Sequence, residues 1–296
     1  MRNNPATNHP PAALALPANL WVWGLPLLGI ILMALPARAQ TPSPLAEWQY
    51  SSGVQLQHLF EPSVPTWQVE LGLGSQFAPV ADGLNRYQVQ PGPVIDVRYK
   101  DEFFFSTGEG LGVNLLSFRH IDMGAAITYD LGRSAHADGK ALEGLGTIHP
   151  APEVKFFATY ALAKAFPLTL RLDVRRQIGA TNGWVGDFGA YMPMPGSSAK
   201  FAWFAGPTIT AGDGRYMQGY FGVSQTQAYS TNYRQYKAAP GLKSAGFGLS
   251  ADWFITPHWV IDMSAAYQRL LGSAANSPIT ESKNEGVVSF SGLYKF

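Results

Sequence analysis

The stretch that decides the fold is Trp67–Phe77, which reads WQVELGLGSQF. Its odd-numbered positions are apolar except Ser75, and its even-numbered positions are polar or glycine. Successive side chains of a β-strand point to opposite faces, so this segment has one apolar face and one face that is polar or empty. The pattern predicts a strand with two unlike sides.

The same alternation recurs along the chain in runs of about ten residues, the length that a tilted strand needs to cross a membrane. The polar face of these runs carries glycine, serine, threonine and opposed charges, whereas a soluble β-sandwich usually has a polar face rich in Lys and Glu. Such a face suits the confined lumen of a barrel, where charges pair. We therefore predict that five charged residues line the lumen: Asp96, Arg98, Arg171, Asp173 and Arg175. Ion pairing with these arginines is also expected of the single acids Asp122, Asp187, Asp252 and Asp262.

The composition agrees with a lipid-facing outer surface. The chain has 296 residues, no cysteine and only 14% charged residues, against about 25% in an average soluble domain. Its net charge of +1 gives no electrostatic argument for binding nucleic acid. After residue 39 no apolar run approaches the length of a membrane-spanning helix.

The first 39 residues have the features of an export signal. The apolar run Leu20–Pro36 follows a region containing Arg2 and precedes Ala37-Arg38-Ala39, a small-x-small cleavage pattern. We predict a signal peptide over residues 1–39 that is cleaved after export; the alternative is an uncleaved membrane anchor of minimal length. Residues 40–65, which contain several prolines, are expected to form a periplasmic lead-in, and residues 66–296 the barrel in the bacterial outer membrane.

The end of the chain is the most specific local signal. Val288, Phe290, Tyr294 and Phe296 alternate with polar residues, with Leu293 as the one exception, and the last residue is aromatic. Bacterial outer-membrane barrels close on such a strand, so we predict that Phe296, Tyr294 and Phe290 form the signal for the barrel-assembly machinery. Outer-membrane lipid and lipopolysaccharide are the other expected contacts.

These alternating segments predict an all-β, antiparallel up-and-down transmembrane barrel of about twelve strands. Ten strands is the fallback, because the third and fourth predicted strands are short. The even number fits single-chain bacterial barrels. Long connections over 131–153, 211–242 and 271–285 are expected outside the cell, and short turns on the periplasmic side. The predicted strands lie near residues 66–78, 87–99, 102–107, 111–117, 121–130, 154–165, 168–178, 184–193, 200–210, 243–254, 259–270 and 286–296.

Candidate chemistry is sparse. His120 lies three residues from Ser117, but a nucleophilic serine needs a base and a third group that orients the base, and nothing nearby in the sequence supplies the third member. No two histidines have the spacing of metal ligands, and cysteine is absent. We expect no catalytic residue, metal or cofactor.

Five motifs carry a resemblance to a known family. The sequence is similar to the MipA/OmpV outer-membrane proteins at Gly110–Leu115, Tyr129–Arg133, Leu142–Gly146, Arg215–Val223 and Tyr267–Gly272. The five motifs occur in the same order as in that family. The resemblance implies an outer-membrane barrel, in one case a scaffold that links a murein hydrolase to a murein synthase. The leading hypothesis is therefore a non-enzymatic scaffold or envelope-integrity protein. The alternatives are a narrow porin-like channel for small solutes and, less favoured, a surface hydrolase using His120 and Ser117.

Overall fold

The computed structural model describes residues 66–100, 102–118, 120–137, 141–163 and 166–296, with the backbone alone at 163, 166 and 167. They form a closed antiparallel barrel in which each strand pairs with the next and the last pairs with the first. The predicted all-β up-and-down barrel of twelve strands is confirmed, and the fallback of ten is not needed. The signal peptide and the lead-in lie outside the described residues. The strands are β1 Trp67–Pro79, β2 Tyr87–Tyr99, β3 Phe103–Ser106, β4 Gly110–Phe118, β5 Ile121–Asp130, β6 Ala151–Ala163, β7 Phe166–Gln177, β8 Trp184–Pro193, β9 Phe201–Gly212, β10 Gly241–Phe254, β11 Trp259–Leu270 and β12 Asn284–Lys295.

The alternation of the sequence becomes the two faces of the wall. On β7, Leu172 leaves 46% of its surface exposed on the outside, whereas its neighbour Arg171 is 3% exposed inside. Outward aromatic residues gather near the strand ends, where rings with a polar edge suit the level of the lipid head groups. At one end these residues include Trp67, which packs against Tyr99 with ring centroids 4.7 Å apart.

The two ends of the barrel differ. The chain enters β1 and leaves β12 at the same end, which we call the short-turn end. The connections β5–β6, β9–β10 and β11–β12 are long and lie at the opposite, long-loop end. In bacterial barrels the short turns face the periplasm and the long loops face the exterior.

In the described parts of the long connections, where the sequence shows no alternation, the structure has three helices. They are α1 Gly214–Phe221, α2 Gln225–Ser230 and α3 Gly272–Ala275. Asp213 caps α1 by accepting a hydrogen bond from the Tyr216 amide, and Ser224 begins α2 with a capping box to Gln227. None of the described helices has the length and hydropathy needed to cross a membrane.

The connections at the long-loop end fold together into a cap, which we define as residues 80–86, 131–137, 141–150, 213–240 and 271–283. One apolar cluster of the cap draws residues from four different connections, namely Leu84, Ala141, Leu142, Leu145, Val223 and Ile279. A second cluster packs α1 and α3 onto β8 and the end of β11, through Val185, Tyr216, Met217, Phe221, Ala238, Leu270 and Ala274. The cap therefore has a small apolar core of its own and lies at one end of the barrel.

The wall is low at β3 and β4. β2 spans 13 residues, but it pairs with β3 only over Asp96–Tyr99, because β3 has four residues and turns back at once. Gly110 starts β4 with φ +87, and a Cβ there would collide with the Ile127 carbonyl oxygen, so this tight turn needs glycine.

The short hairpin leaves a gap in the wall, which we call the notch. It is bordered by residues 87–94 of β2 on one side and by the end of β5 on the other. The Ile95 carbonyl accepts a hydrogen bond from the Thr107 amide in the β3–β4 turn, and the Ile95 amide donates to the Thr107 hydroxyl. Odd-numbered positions of β2 therefore direct their backbone groups toward the notch. Pro91 and Pro93 occupy the next two such positions. Because proline has no N–H, it suits an unpaired edge.

Candidate functional site in the barrel lumen

Four of the five predicted lumen charges lie on two strands and form two local pairs. On β2, Arg98 Nε lies 2.9 Å from Asp96 Oδ1; on β7, Arg171 Nε lies 2.8 Å from Asp173 Oδ2. Both arginines are nearly inaccessible, at 7% and 3% exposed. The two members of each pair are two residues apart, so a strand directs both to the same face.

Glu109 joins these two pairs across the lumen. It lies in the β3–β4 turn, and its carboxylate is 2.6 Å from Arg98 Nη2 and 3.2 Å from Arg171 Nη2. Sequence analysis missed Glu109, because a turn residue belongs to no alternating face. The chain of charges Asp96–Arg98–Glu109–Arg171–Asp173, which we call the ion bridge, runs from β2 through the turn to β7.

Arg175, the fifth predicted lumen charge, belongs to a different group. Its Nη2 lies 2.6 Å from Asp187 Oδ2 on β8, and its Nη1 lies 3.8 Å from Glu153 on β6. Lys155 is also buried nearby on β6, with its Nζ 6.0 Å from the centre of the Phe157 ring. Glu153 and Lys155 were not among the predicted residues, although their odd-numbered positions on β6 face the lumen as alternation requires.

Two aromatic rings pack against the ion bridge. The Arg98 guanidinium lies 5.4 Å from the centre of the Phe104 ring, and that of Arg171 lies 5.1 Å from the Phe157 ring. The rings themselves meet edge to face at 5.8 Å. The faces of aromatic rings attract cations, so these rings help to hold charges that have lost their water.

The long side chains explain how a barrel of this size is filled. Eight strands enclose an interior just wide enough for side chains, and twelve enclose a wider one. Here arginine, lysine and glutamate reach across it and neutralise one another. Such pairs add little net stability compared with apolar packing, but the loss of one partner leaves the other charge buried and uncompensated.

Two of the single acids depart from the expected pairing with arginine. Asp252 on β10 is directly opposite Asp262 on β11, so two acidic side chains lie next to each other on adjacent strands. Asp262 accepts a hydrogen bond from Ser291 at 3.3 Å. The prediction of arginine partners for this pair is wrong, because the three arginines lie on β2 and β7. Asp122 also differs, since it accepts a hydrogen bond from Ser117.

A second link crosses the barrel under the cap. Lys243 Nζ lies 2.6 Å from Asp82 Oδ2 in the β1–β2 connection, and Lys243 is fully buried. The register of β9 and β10 shifts between Leu242 and Ser244, so this β-bulge turns two successive residues, Lys243 and Ser244, inward. Alternation alone assigns only one of two such neighbours to the lumen, so no sequence pattern revealed Lys243.

The cap also buries two tyrosine hydroxyls near the barrel mouth. Tyr220 donates to Asp130 Oδ2 at 2.8 Å, and burial together with this carboxylate raises the pKa of Tyr220. Burial likewise raises the pKa of Tyr216. Both groups stay neutral at physiological pH and act as hydrogen-bonding or packing residues.

The three residues of the predicted assembly signal lie at the short-turn end of β12 or along its outer face. Phe290 and Phe296 are 54% and 69% exposed on the outside. The Tyr294 ring packs 5.2 Å from Trp259 and 4.9 Å from Phe296, and the Phe296 amide donates to the Val69 carbonyl at 3.0 Å. They are accessible from outside the barrel.

Ser117 and His120 do not form a catalytic pair in this arrangement. The Ser117 hydroxyl donates to Asp122 Oδ1 at 2.6 Å rather than to an imidazole, and all three residues lie at the short-turn end of β4 and β5. A serine whose proton is directed at a carboxylate, with no imidazole bonded to it, lacks the base of a Ser–His arrangement.

Among solved structures, the fold is similar to those of other outer-membrane barrels. One is an outer membrane channel from Pseudomonas putida F1, at 9% identity over 79% of this chain and 97% of that chain, with a TM-score of 0.44. Another is the translocator domain of the autotransporter NalP from Neisseria meningitidis, at 14% identity over 85% of this chain and 97% of that chain, with a TM-score of 0.40. No curated protein matches the sequence.

The sequence itself matches a family over most of its length. The model of the family described as MltA-interacting protein MipA matches residues 71–296, which is the whole barrel except the beginning of β1. Together with the closed twelve-stranded barrel, this match places the protein in the bacterial outer membrane. The chain belongs to the MipA family.

Proposed function

We propose that this protein is a closed, non-enzymatic barrel that acts as an outer-membrane platform for a murein hydrolase, a murein synthase or both. The observation that carries the proposal is the ion bridge, which runs from β2 to β7 through the interior. A barrel whose interior is occupied by neutralised charges, and whose outer end carries a folded cap, fits a structural role better than transport. The family description, MltA-interacting protein, supports a partner of the murein class.

The short-turn end is the surface from which such a partner would be bound, since it faces the periplasm, where murein lies. The β8–β9 turn there is well ordered: the Ser197 hydroxyl donates to the Met194 and Trp203 carbonyls, and Trp203 Nε1 donates to the Pro195 carbonyl at 3.0 Å. A turn held by its own hydrogen bonds loses little conformational entropy on binding. We infer that residues 40–65, after removal of residues 1–39, add to this periplasmic surface.

Site-specific crosslinking tests the platform. A photoreactive residue at Ser197 in the β8–β9 turn, or at Pro257 in the β10–β11 turn, is expected to capture a murein hydrolase or synthase that mass spectrometry identifies. The matched control is the same residue at Tyr229, which is 82% exposed at the long-loop end. Recovery of no murein enzyme from either turn, or equal recovery from Tyr229, would contradict the proposal.

A narrow channel is the competing function, and the polar lumen is the observation that favours it. Planar-bilayer recordings distinguish the two. The platform predicts no reproducible unitary conductance for the intact chain, whereas a channel predicts steps of constant size. In the same preparation, His120→Ala is expected to leave any background esterase activity unchanged, because Ser117 bonds to Asp122.

We also propose that the end of β12 is read by the barrel-assembly machinery. Deletion of Phe296 is expected to reduce the folded, heat-modifiable form on gels, because it removes an exposed terminal aromatic residue and the hydrogen bond that its amide donates to the Val69 carbonyl. Phe290→Ala also removes an exposed ring, but without shortening the chain, and is expected to have a smaller effect.

A further inference from the structure

A cavity lies inside the barrel directly beneath the cap and behind the notch. Its volume is about 50 Å³, which is room for about four water molecules or one small polyatomic ion. Gln90 of β2 lines it on one border of the notch, and Gly132 and Arg133, just after β5, line it on the other. The cavity therefore lies next to the notch, where β3 and β4 are too short to complete the wall.

Arg133 is the unusual residue of this cavity. It is 5% exposed, and among the described residues the only hydrogen bond of its side chain runs from Nη1 to the Tyr220 carbonyl at 2.6 Å. Its Nε is buried without a partner, and no carboxylate of the described residues lies within ion-pairing distance. The other buried arginines of the barrel interior, at 98, 171 and 175, each have at least one carboxylate partner.

A buried guanidinium without a counter-charge is costly, so its presence requires an explanation. Burial lowers the pKa of Arg133 only to about 10, so the group keeps its charge at neutral pH. The one carboxylate that lines the cavity, Asp82, is engaged by Lys243 at 2.6 Å. The positive charge of Arg133 is therefore left over in a cavity that also contains the amides of Gln76 and Gln268.

We propose that this cavity is a binding subsite for an oxyanion, such as the phosphate group of an amphiphilic molecule that enters from the membrane through the notch. The planar guanidinium, with its parallel N–H groups, matches the geometry of a phosphate. The notch lets a head group reach Arg133 while its apolar chain stays outside against the barrel wall. There Val89 and Tyr129 are 64% and 50% exposed on the two borders. The subsite does not depend on the platform function.

The test uses the full mature chain, refolded into phosphatidylcholine nanodiscs, with two phosphate probes. Lysophosphatidate presents the phosphate from the bilayer, and inorganic phosphate presents it from water; ³¹P NMR line broadening reports binding of each. We expect the wild-type protein to bind lysophosphatidate, and Arg133→Gln to weaken this binding at least about tenfold. Arg133→Lys, which keeps the charge but not the planar fork, should fall between them. The matched control is Arg269→Gln, which removes an exposed arginine at the same end of the barrel.

Each outcome of this experiment either supports or overturns the proposed subsite. Loss of lysophosphatidate binding in Arg133→Gln but not in Arg269→Gln supports the subsite and entry from the membrane. The same pattern with inorganic phosphate alone supports the subsite but places the source of the anion in water, which overturns entry through the notch. Failure of the wild-type protein to broaden either probe overturns the proposal without any variant, and so does equal weakening by both substitutions. If Arg133→Gln does not refold, Arg133→Lys and the wild-type titration still decide.

Discussion

The lumen at the level of the β3–β4 turn is crossed by charged side chains, whereas the cap above it is closed by apolar side chains from four connections. The lumen residues are placed by regular strands, each of which directs alternate side chains inward. The cap residues come from irregular segments that acquire their positions only by packing together. One end of the interior is thus organised by backbone geometry and the other by burial of apolar surface.

This difference determines which parts of the molecule are rigid and which can open locally. A side chain on a barrel strand cannot leave the lumen unless the wall unpairs, because its direction is fixed by the pleat. A cap made of loops opens at the cost of its own small core, without breaking any strand pairing. The elements with the fewest stabilising contacts are the ones that open locally in this way.

The largest effect is expected from breaking the ion bridge at its centre. Glu109→Ala should lower the free energy of unfolding by about 3 kcal/mol, since Arg98 and Arg171 each lose a buried carboxylate but keep one other partner. Urea titration of the protein refolded in lipid vesicles measures this change. The control is Glu102→Ala, which removes an exposed glutamate from the neighbouring turn and should cost less than about 0.5 kcal/mol. Equal losses in both variants would show that the bridge is not what holds the turn to β7.

A slightly smaller effect, confined to the cap, is expected from a cavity in its apolar cluster. Leu142 is fully buried, and Leu142→Ala should destabilise the cap by about 2 to 3 kcal/mol, at the lower end for such substitutions because loops can partly collapse. Hydrogen exchange should accelerate by at least about tenfold at cap amides and stay unchanged in the strands. Tyr229→Ala removes an exposed ring from the same cap and should change neither. Faster exchange throughout the strands would mean that the cap and the wall unfold together.

The smallest effect is expected at the beginning of α2. Ser224 accepts a hydrogen bond from the Gln227 amide at 3.2 Å, and Gln227 accepts one from the Ser224 amide at 2.8 Å. Ser224→Ala should cost about 1 kcal/mol of local stability, seen as faster exchange in α2 alone. Ser230→Ala, at the other end of this helix, removes a bond from a hydroxyl to the Thr226 carbonyl and should cost only a few tenths of a kcal/mol. An effect of Ser230→Ala as large as that of Ser224→Ala would argue against the capping box.

The same difference between lumen and cap decides how far the sequence could be interpreted. All twelve strands were predicted because alternation is a local property that any single strand displays. The positions of Arg98, Arg171 and Arg175 followed from it, since parity along a strand assigns a face. Glu109 and Lys243 were missed for two separate reasons: the first lies in a turn, and the second is turned inward by a bulge that no periodicity records.

The cap could not be derived in the same way. Leu142, Leu145 and Ile279 lie in connections without any repeat, and they meet only after the chain has closed. The beginning of α2 did leave a local trace, because Ser224 followed by Gln227 has the spacing of a capping box. Arg133 shows the limit most clearly: it lies beyond the end of β5, where alternation assigns no face, and yet it is buried beneath the cap without a counter-charge among the described residues.

The seam between β1 and β12 has a consequence for the order of folding. Glu70 lies opposite Lys295, and Phe77 opposite Val288, so the first strand of the barrel waits for the last residues to be synthesised. Closing so long a loop is slow, because its entropy is lost before its contacts form. Until then the chain exposes two unsatisfied edges that could pair with other molecules. A chain without β12 would leave the edges of β1 and β11 without their partner strand, so closure in this register requires the last strand to have been exported.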